Sequence, residues 1–205
     1  MPTPATPDPT RRNDAVRRAI LAAALDQVGE VGYAKLTIER IAKTAGVGKQ
    51  TIYRWWPSKG ALFFDAFLDL AGDGEAAALP DTGDLAADLT LVLTATVAEL
   101  NDERLDRAMR ALHTEIVLDQ TLAADYATRL DNPMRELKKA RLRAAQDAGQ
   151  LAADVDLEVA VDLIWGPILN RWLHRTAPLT SEYAEQVVDT ALRGLQPRPT
   201  SGPDR

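Results

Sequence analysis

Between Ala45 and Lys59 the sequence AGVGKQTIYRWWPSK sets Lys49, Arg54 and Lys59 among Tyr53, Trp55 and Trp56. Ammonium and guanidinium groups are costly to bury and indole rings costly to leave in water, so one short element must offer two faces. On a helix turning 100° per residue, Lys49, Gln50, Tyr53 and Arg54 fall within an arc of about 140°. Ile52 and Trp56 fall together on the other side. The outward arc joins phosphate-binding cations to groups able to read base edges. Glutamine pairs bidentately with adenine, and arginine with guanine, in the major groove, each good pair being worth about 1–3 kcal/mol of discrimination. Trp55 falls toward the edge of the buried side, where its ring can cover a small core while its indole N–H reaches a phosphate. The chemistry on offer is recognition of a polyanion.

Bond-making chemistry finds little material. There is no cysteine, and the two histidines, His113 and His174, stand 61 positions apart. A metal centre built on His and Cys is therefore not expected. The chain has no GxSxG, no glycine-rich phosphate loop and no HExxH. The carboxylate pairs Asp102/Glu103 and Asp154/Asp156 lie at element boundaries, where helix capping accounts for them. No catalytic residue, no cofactor and no metal is expected.

The elements that must hold the basic strip read as helices throughout, so the fold class is all-α. Apolar residues recur three and four apart, and no β-branched run alternates with period two. The first helix is expected from Asn13 or Asp14 to Val28, closed by glycines. Thr37 is placed to cap a second, Ile38–Ala45, with Glu39 at its positive end. Gly46 suits a left-handed turn before a third helix from about Gly48 to Trp56. Ser58 is placed to cap a fourth, Lys59–Leu70. After the loop AGDGEAAALPDTG, helices are expected at about 84–100, 103–118, 121–130, 133–148, 157–174 and 181–195. Gly166-Pro167 should kink the penultimate one. Two short helices around a tight turn, the second carrying the cations, form a helix-turn-helix.

Charge follows the same division. Residues 1–60 hold 10 Lys/Arg against 5 Asp/Glu, a net of +5; the rest hold 14 against 25, a net of −11, which recovers the overall −6. A basic head on an acidic body draws a polyanion to one end. Arg11, Arg12, Arg17 and Arg18 are further candidates for phosphate contact. With 205 residues, 46% of them hydrophobic, the chain can build a sizeable core. No apolar run approaches the roughly 20 residues of a membrane span. MPTPATPDPTRR lacks the apolar stretch of a secretory signal, so the expected compartment is the cytoplasm and no membrane partner is expected.

The block LTIERIAKTAGVGKQTIYRWWPSKGALFFDAF, Leu36 to about Phe67, resembles the N-terminal signature of the TetR family of bacterial transcriptional repressors. The likeness lies in the Thr-capped helix, Ile-Ala, Ala-Gly-Val, Thr-hydrophobic-Tyr, a following aromatic, then Ser-Lys and an apolar helix. It implies double-stranded DNA as partner. Thr37 would stand against a phosphate; Lys49, Gln50, Thr51, Tyr53 and Arg54 on or beside the groove-facing helix; Trp55 and Lys59 near the backbone. Two positions depart from the pattern. Gly48 stands where Ser is common, which removes a hydroxyl, and Gln50 stands where a small residue is frequent.

The resemblance also implies that the larger helical body binds a small effector and builds a homodimer. In the last two helices, Trp165, Ile168, Leu169, Trp172 and Leu173, with Val187, Ala191 and Leu195, offer apolar stripes for a dimer interface; the same stripes also suit the protomer's own core. Wall residues of an effector pocket are expected among Phe64, Phe67, Leu93, Val97, Leu112, His113, Ile116, Tyr126 and Leu130, though any single apolar one of them suits core packing better than ligand contact. The expected organisation is an N-terminal arm over 1–10, a three-helix head over 11–58, a helical body over 59–196 and a tail over 197–205. The function so implied is a ligand-responsive repressor on a palindromic operator. A helical protein-interaction module without specific DNA binding is the alternative, with a small helical enzyme behind it.

Overall fold

The computed structural model describes the backbone of residues 9–71 and 78–197, with side chains described from 13 to 70 and from 78 to 197. Among the described residues ten α-helices follow one another: α1 (Pro9–Val31), α2 (Ile38–Thr44), α3 (Lys49–Trp55), α4 (Lys59–Ala71), α5 (Leu85–Asn101), α6 (Glu103–Leu118), α7 (Gln120–Tyr126), α8 (Asn132–Asp147), α9 (Leu157–His174) and α10 (Ser181–Leu195). A short 3₁₀ turn, Tyr33–Lys35, precedes α2, and a π turn, Ala127–Asp131, precedes α8. No strand occurs among the described residues, so the chain is all-α.

Side-chain caps fix the helix starts. Thr37 Oγ1 accepts from the Arg40 amide at 3.2 Å, Ser58 Oγ from Ala61 at 3.1 Å and Asp84 Oδ1 from Ala87 at 3.0 Å. Asp156 and Thr180 do the same for α9 and α10. Each cap satisfies an amide that the first turn leaves without a partner.

Two elements differ from the sequence-based expectation. Helix α1 begins at Pro9, so residues 9 and 10 join it; proline suits a first turn because its missing N–H would have no acceptor there. Residues 1–8 of the expected arm, and all of the expected tail except Pro197, lie outside the described residues. Helix α7 starts one residue early, because Asp119 Oδ1 accepts from Thr121 and Leu122. It also ends early. Pro133 has no N–H to offer the preceding turn, and the backbone widens into the π turn before α8. Helix α9 runs without a break through Pro167.

Two compact units emerge, and they interleave in sequence. The first holds α1–α4, α6 and α7. The second holds α5, α8, α9 and α10. Helix α4, placed by sequence in the body, thus packs with the head, as does α6. The first unit's core gathers Ile20, Leu21 and Ala24 of α1, Ile41 of α2, Ile52 of α3, Phe63 and Phe64 of α4 and Leu112 of α6, all buried. In the second, α5 lies along α10, and Leu89, Leu93, Leu142, Ile164, Ile168 and Val188 are buried.

The second unit also buries an ion pair. Arg141 of α8 donates from Nη2 to Asp88 Oδ2 of α5 at 2.8 Å and from Nε to the Pro80 carbonyl at 2.7 Å. The Thr82 amide and hydroxyl complete the carboxylate's shell at 3.0 and 2.8 Å. The bond from Arg141 holds the Asp88 carboxyl below its ordinary range, with Thr82 helping and burial opposing. A depressed carboxyl pKa stabilises the fold fully above the unfolded value of about 3.9, and that contribution fades as pH falls through the lower folded value. Thermal unfolding should therefore find Asp88→Asn less stable than the wild type at pH 6. The gap should narrow steadily below about pH 4. A gap that stays constant with pH would contradict the assignment.

Candidate nucleic-acid interface

The turn that aims α3 closes by hydrogen bonds from both sides of Gly46. Val47 N–H bonds to the Ala42 carbonyl at 2.9 Å and Gly46 N–H to Lys43 at 3.3 Å, while Gly46 sits at φ +68°. This pairing satisfies the last carbonyls of α2 and needs a residue that tolerates the left-handed region. Gly48 then opens α3 in extended backbone, with its carbonyl accepting from Thr51 at 3.0 Å.

Beneath α3, Ile52 is fully buried and Trp56 nearly so, as are Ile38, Ile41 and Ala42 of α2, on which α3 packs. Trp56 lies just past the helix, where the backbone turns extended at φ −129°. Above, Lys49, Gln50, Tyr53 and Arg54 are exposed, and Thr51 and Trp55 half-buried. Tyr53 is 52% exposed, far more than an aromatic with a structural task requires. The structure brings these residues together on one helix, as the 100° projection expects.

The other expected contacts are placed differently. Lys49 Nζ meets Glu39 Oε1 of α2 at 3.0 Å, both side chains exposed. That bond holds the Glu39 carboxyl below its usual range. Such a surface pair is weak and open to exchange for a phosphate. Lys59 is anchored inside the first unit: its ammonium donates to the Tyr33 carbonyl at 3.2 Å and sits 4.0 Å from the Tyr33 ring centroid. Thr37 is exposed and occupied as a cap. Burial, with Glu115 and Asp119 close by, pushes the Tyr33 hydroxyl well above its ordinary value, so Tyr33 stays neutral beneath Lys59.

Sequence reasoning missed the groups that brace this surface. Gln27 of α1, a buried amide, accepts from Arg40 Nε at 2.9 Å and donates to Thr44 Oγ1 at 3.3 Å, tying α1 to both ends of α2. Asp65 of α4 accepts from the Trp56 indole N–H at 2.9 Å and from Arg17 at 3.1 Å. A lone carboxylate inside the apolar run LFFDAF was the available signal for the second.

The expected pocket residues fall in both units. Phe64, Phe67 and Leu112 are buried in the first, where Tyr126 lies 5.9 Å from both the Phe64 and the His113 ring centroids and Ile116 is half-buried. Leu93 and Val97 are buried in the second, and Leu130 is half-buried there. Of the expected dimer residues, Trp165, Ile168, Trp172, Val187 and Leu195 are packed inside the second unit, and Ala191 is half-buried. Leu169 and Leu173 are exposed.

Comparison with known proteins agrees with the geometry. Residues 20–66 match the model described as bacterial regulatory proteins, tetR family, and residues 79–191 match the tetracyclin repressor-like C-terminal domain. The chain belongs to the TetR family. Its TetR-family relatives include the HTH-type transcriptional regulator YdeS of Bacillus subtilis, 35% identical over 90% of this chain and 92% of that protein. The DNA-binding transcriptional repressor TetR of Mycobacteroides abscessus is 28% identical over 88% of this chain and 94% of that protein. Among solved structures, the TetR family transcription regulator SCO0332 superposes with a TM-score of 0.69 at 36% identity, covering 89% of this chain and 99% of that one. As a TetR-family member the protein is a DNA-binding transcriptional regulator, not an enzyme. Among the described residues no helix is long and apolar enough to cross a membrane.

Tyr53→Ala and Lys49→Ala should each weaken duplex binding at least tenfold by fluorescence anisotropy, without moving the thermal midpoint. Lys49→Ala should also lower the salt slope by about one. Glu39→Gln, which frees Lys49, should tighten binding by about two- to fivefold. Unchanged affinity in the first two variants would remove this face from the interface.

Proposed function

We propose that this TetR-family regulator is a repressor that grips a two-fold symmetric operator as a homodimer and lets go when a small apolar or amphipathic molecule enters its helical body. The observation that carries the proposal is the exposed strip Lys49, Gln50, Tyr53 and Arg54, held outward by a buried Ile52. The Mycobacteroides abscessus relative, named as a repressor, supports repression over activation. In this proposal Thr51 and Trp55 flank the readers, Thr37 touches backbone phosphate, and Lys59 reaches the backbone by leaving Tyr33.

The dimer face is best drawn on α9. Val159, Leu163, Leu169 and Leu173 are all exposed and lie within an arc of about 120°. Leu169 and Leu173 belong to the stripe expected from sequence; Val159 and Leu163 extend it toward the helix start. An exposed apolar strip of this kind supports burial against a symmetry mate.

Release fits the packing of the first unit. Helix α4 contacts α1 and α6 there, so a ligand displacing α4 would carry the head with it. The aromatic group Phe64, His113 and Tyr126 is the proposed contact for such a ligand. Converting a mostly bound population to a mostly free one requires a differential affinity of about 5.5 kcal/mol. The proposed compartment is the cytoplasm, where the duplex partner resides.

Selection from a random duplex pool should recover a palindrome with half-sites about 34–36 Å apart. Leu163→Glu combined with Leu173→Glu should halve the solution mass and cost at least tenfold in affinity for that palindrome. A motif without two-fold symmetry, or full dimer mass in the double variant, would contradict the proposal.

A further inference from the structure

We infer that Asp65 is a positioning residue for base recognition, fixing the bearing of Arg54 through Trp56 and Trp55; this rests on α3 being the groove-facing helix. Asp65 lies in the apolar part of α4, where Phe63, Phe64, Ala66 and Phe67 are all buried. Its own side chain is only 15% exposed. A carboxylate is costly in such a place unless it is paired, and Arg17 of α1 supplies the charge at 3.1 Å. The same oxygen, Oδ2, accepts the Trp56 indole N–H at 2.9 Å. One atom thereby joins α1, α4 and the end of α3.

From Trp56 the contacts run outward. Its ring meets Trp55 edge to face, with centroids 5.5 Å apart and planes at 89°. The Arg54 guanidinium carbon lies 5.4 Å from the Trp55 ring centroid. An indole tethered at Nε1 cannot turn over without breaking its hydrogen bond, so Trp56 holds one orientation against Trp55. Trp55 in turn offers Arg54 one π surface, and a guanidinium prefers that surface to open solvent. The series Asp65, Trp56, Trp55, Arg54 connects the core to the exposed face of α3. Phenylalanine would fill much of the space of Trp56; what it lacks is the N–H that Asp65 receives.

The test compares wild type, Arg54→Ala, Asp65→Asn and Trp56→Phe in selections from one random duplex pool, with helicity and thermal midpoint measured on the same samples. Arg54→Ala should lose preference at one base-pair position of each half-site. Asp65→Asn and Trp56→Phe should relax that same position, discrimination there falling about tenfold. Affinity for a scrambled duplex, set by phosphate contacts, should stay within about twofold. The doubly substituted protein should be no worse than Trp56→Phe alone, because asparagine leaves only a weaker, uncharged acceptor for the indole N–H and both changes act on that one bond. With isotope-labelled tryptophan, the indole signal absent from Trp56→Phe should move in Asp65→Asn. Should Asp65→Asn fail to fold, Trp56→Phe carries the comparison alone. The inference is overturned if Arg54→Ala, or both Asp65→Asn and Trp56→Phe, keep the wild-type preference. It is also overturned if selected and scrambled duplexes lose affinity in equal proportion, as loss of folded protein would cause. A wild-type chain that selects no duplex would instead sink the assignment of α3, and this inference with it.

Discussion

The buried seat of a seven-residue helix underlies everything proposed for this protein. Alone, a helix as short as α3 would be mostly unfolded in water, since nucleation costs more than two turns return. It persists because Ile52 is fully buried, Trp56 follows it into the core, and the turn at Gly46 closes α2 with its carbonyls satisfied. The face left over is then outward by geometry.

The bracing of that seat differs in kind from the interactions on its surface. Underneath are buried side chains and short hydrogen bonds, Gln27 to Arg40 and Asp65 to Trp56, which fix angles. On top is an exposed ion pair, Lys49 with Glu39, that stabilises little and exchanges readily. In the proposed interface this division would keep the readers in register and leave weakly held cations to meet phosphate. Helix α6 packs on α1 and α4, the two helices that supply Gln27 and Asp65 to that bracing.

Much of this was legible in the sequence, and the limits have physical causes. The basic strip, its buried counterparts Ile52 and Trp56, the turn at Gly46 and the caps at Thr37 and Ser58 all depend on local spacing, which periodicity and turn chemistry report directly. The grouping of α4 and α6 with the head depends on long-range packing, to which a linear pattern is blind. The same applies to α9. Its apolar residues cover most of the helix circumference, so spacing could not separate Trp165, Ile168 and Trp172, which face inward, from Val159 and Leu163, which face solvent. The contact of Lys59 with Tyr33 has no local signature either, since nothing in the sequence places that carbonyl and ring beside it. The ion pair of Asp88 with Arg141 spans 53 positions and likewise has no local signature.

The chain contains no cysteine, which permits a direct test of where α3 sits. A Gln50→Cys variant carrying a tethered iron-EDTA cleavage reagent should cut bound duplex at two major-groove sites about one helical turn apart. A Val117→Cys control, exposed on α6, should leave the duplex intact. Cleavage from the control alone, or none from position 50 on a duplex that the labelled protein demonstrably binds, would contradict the account.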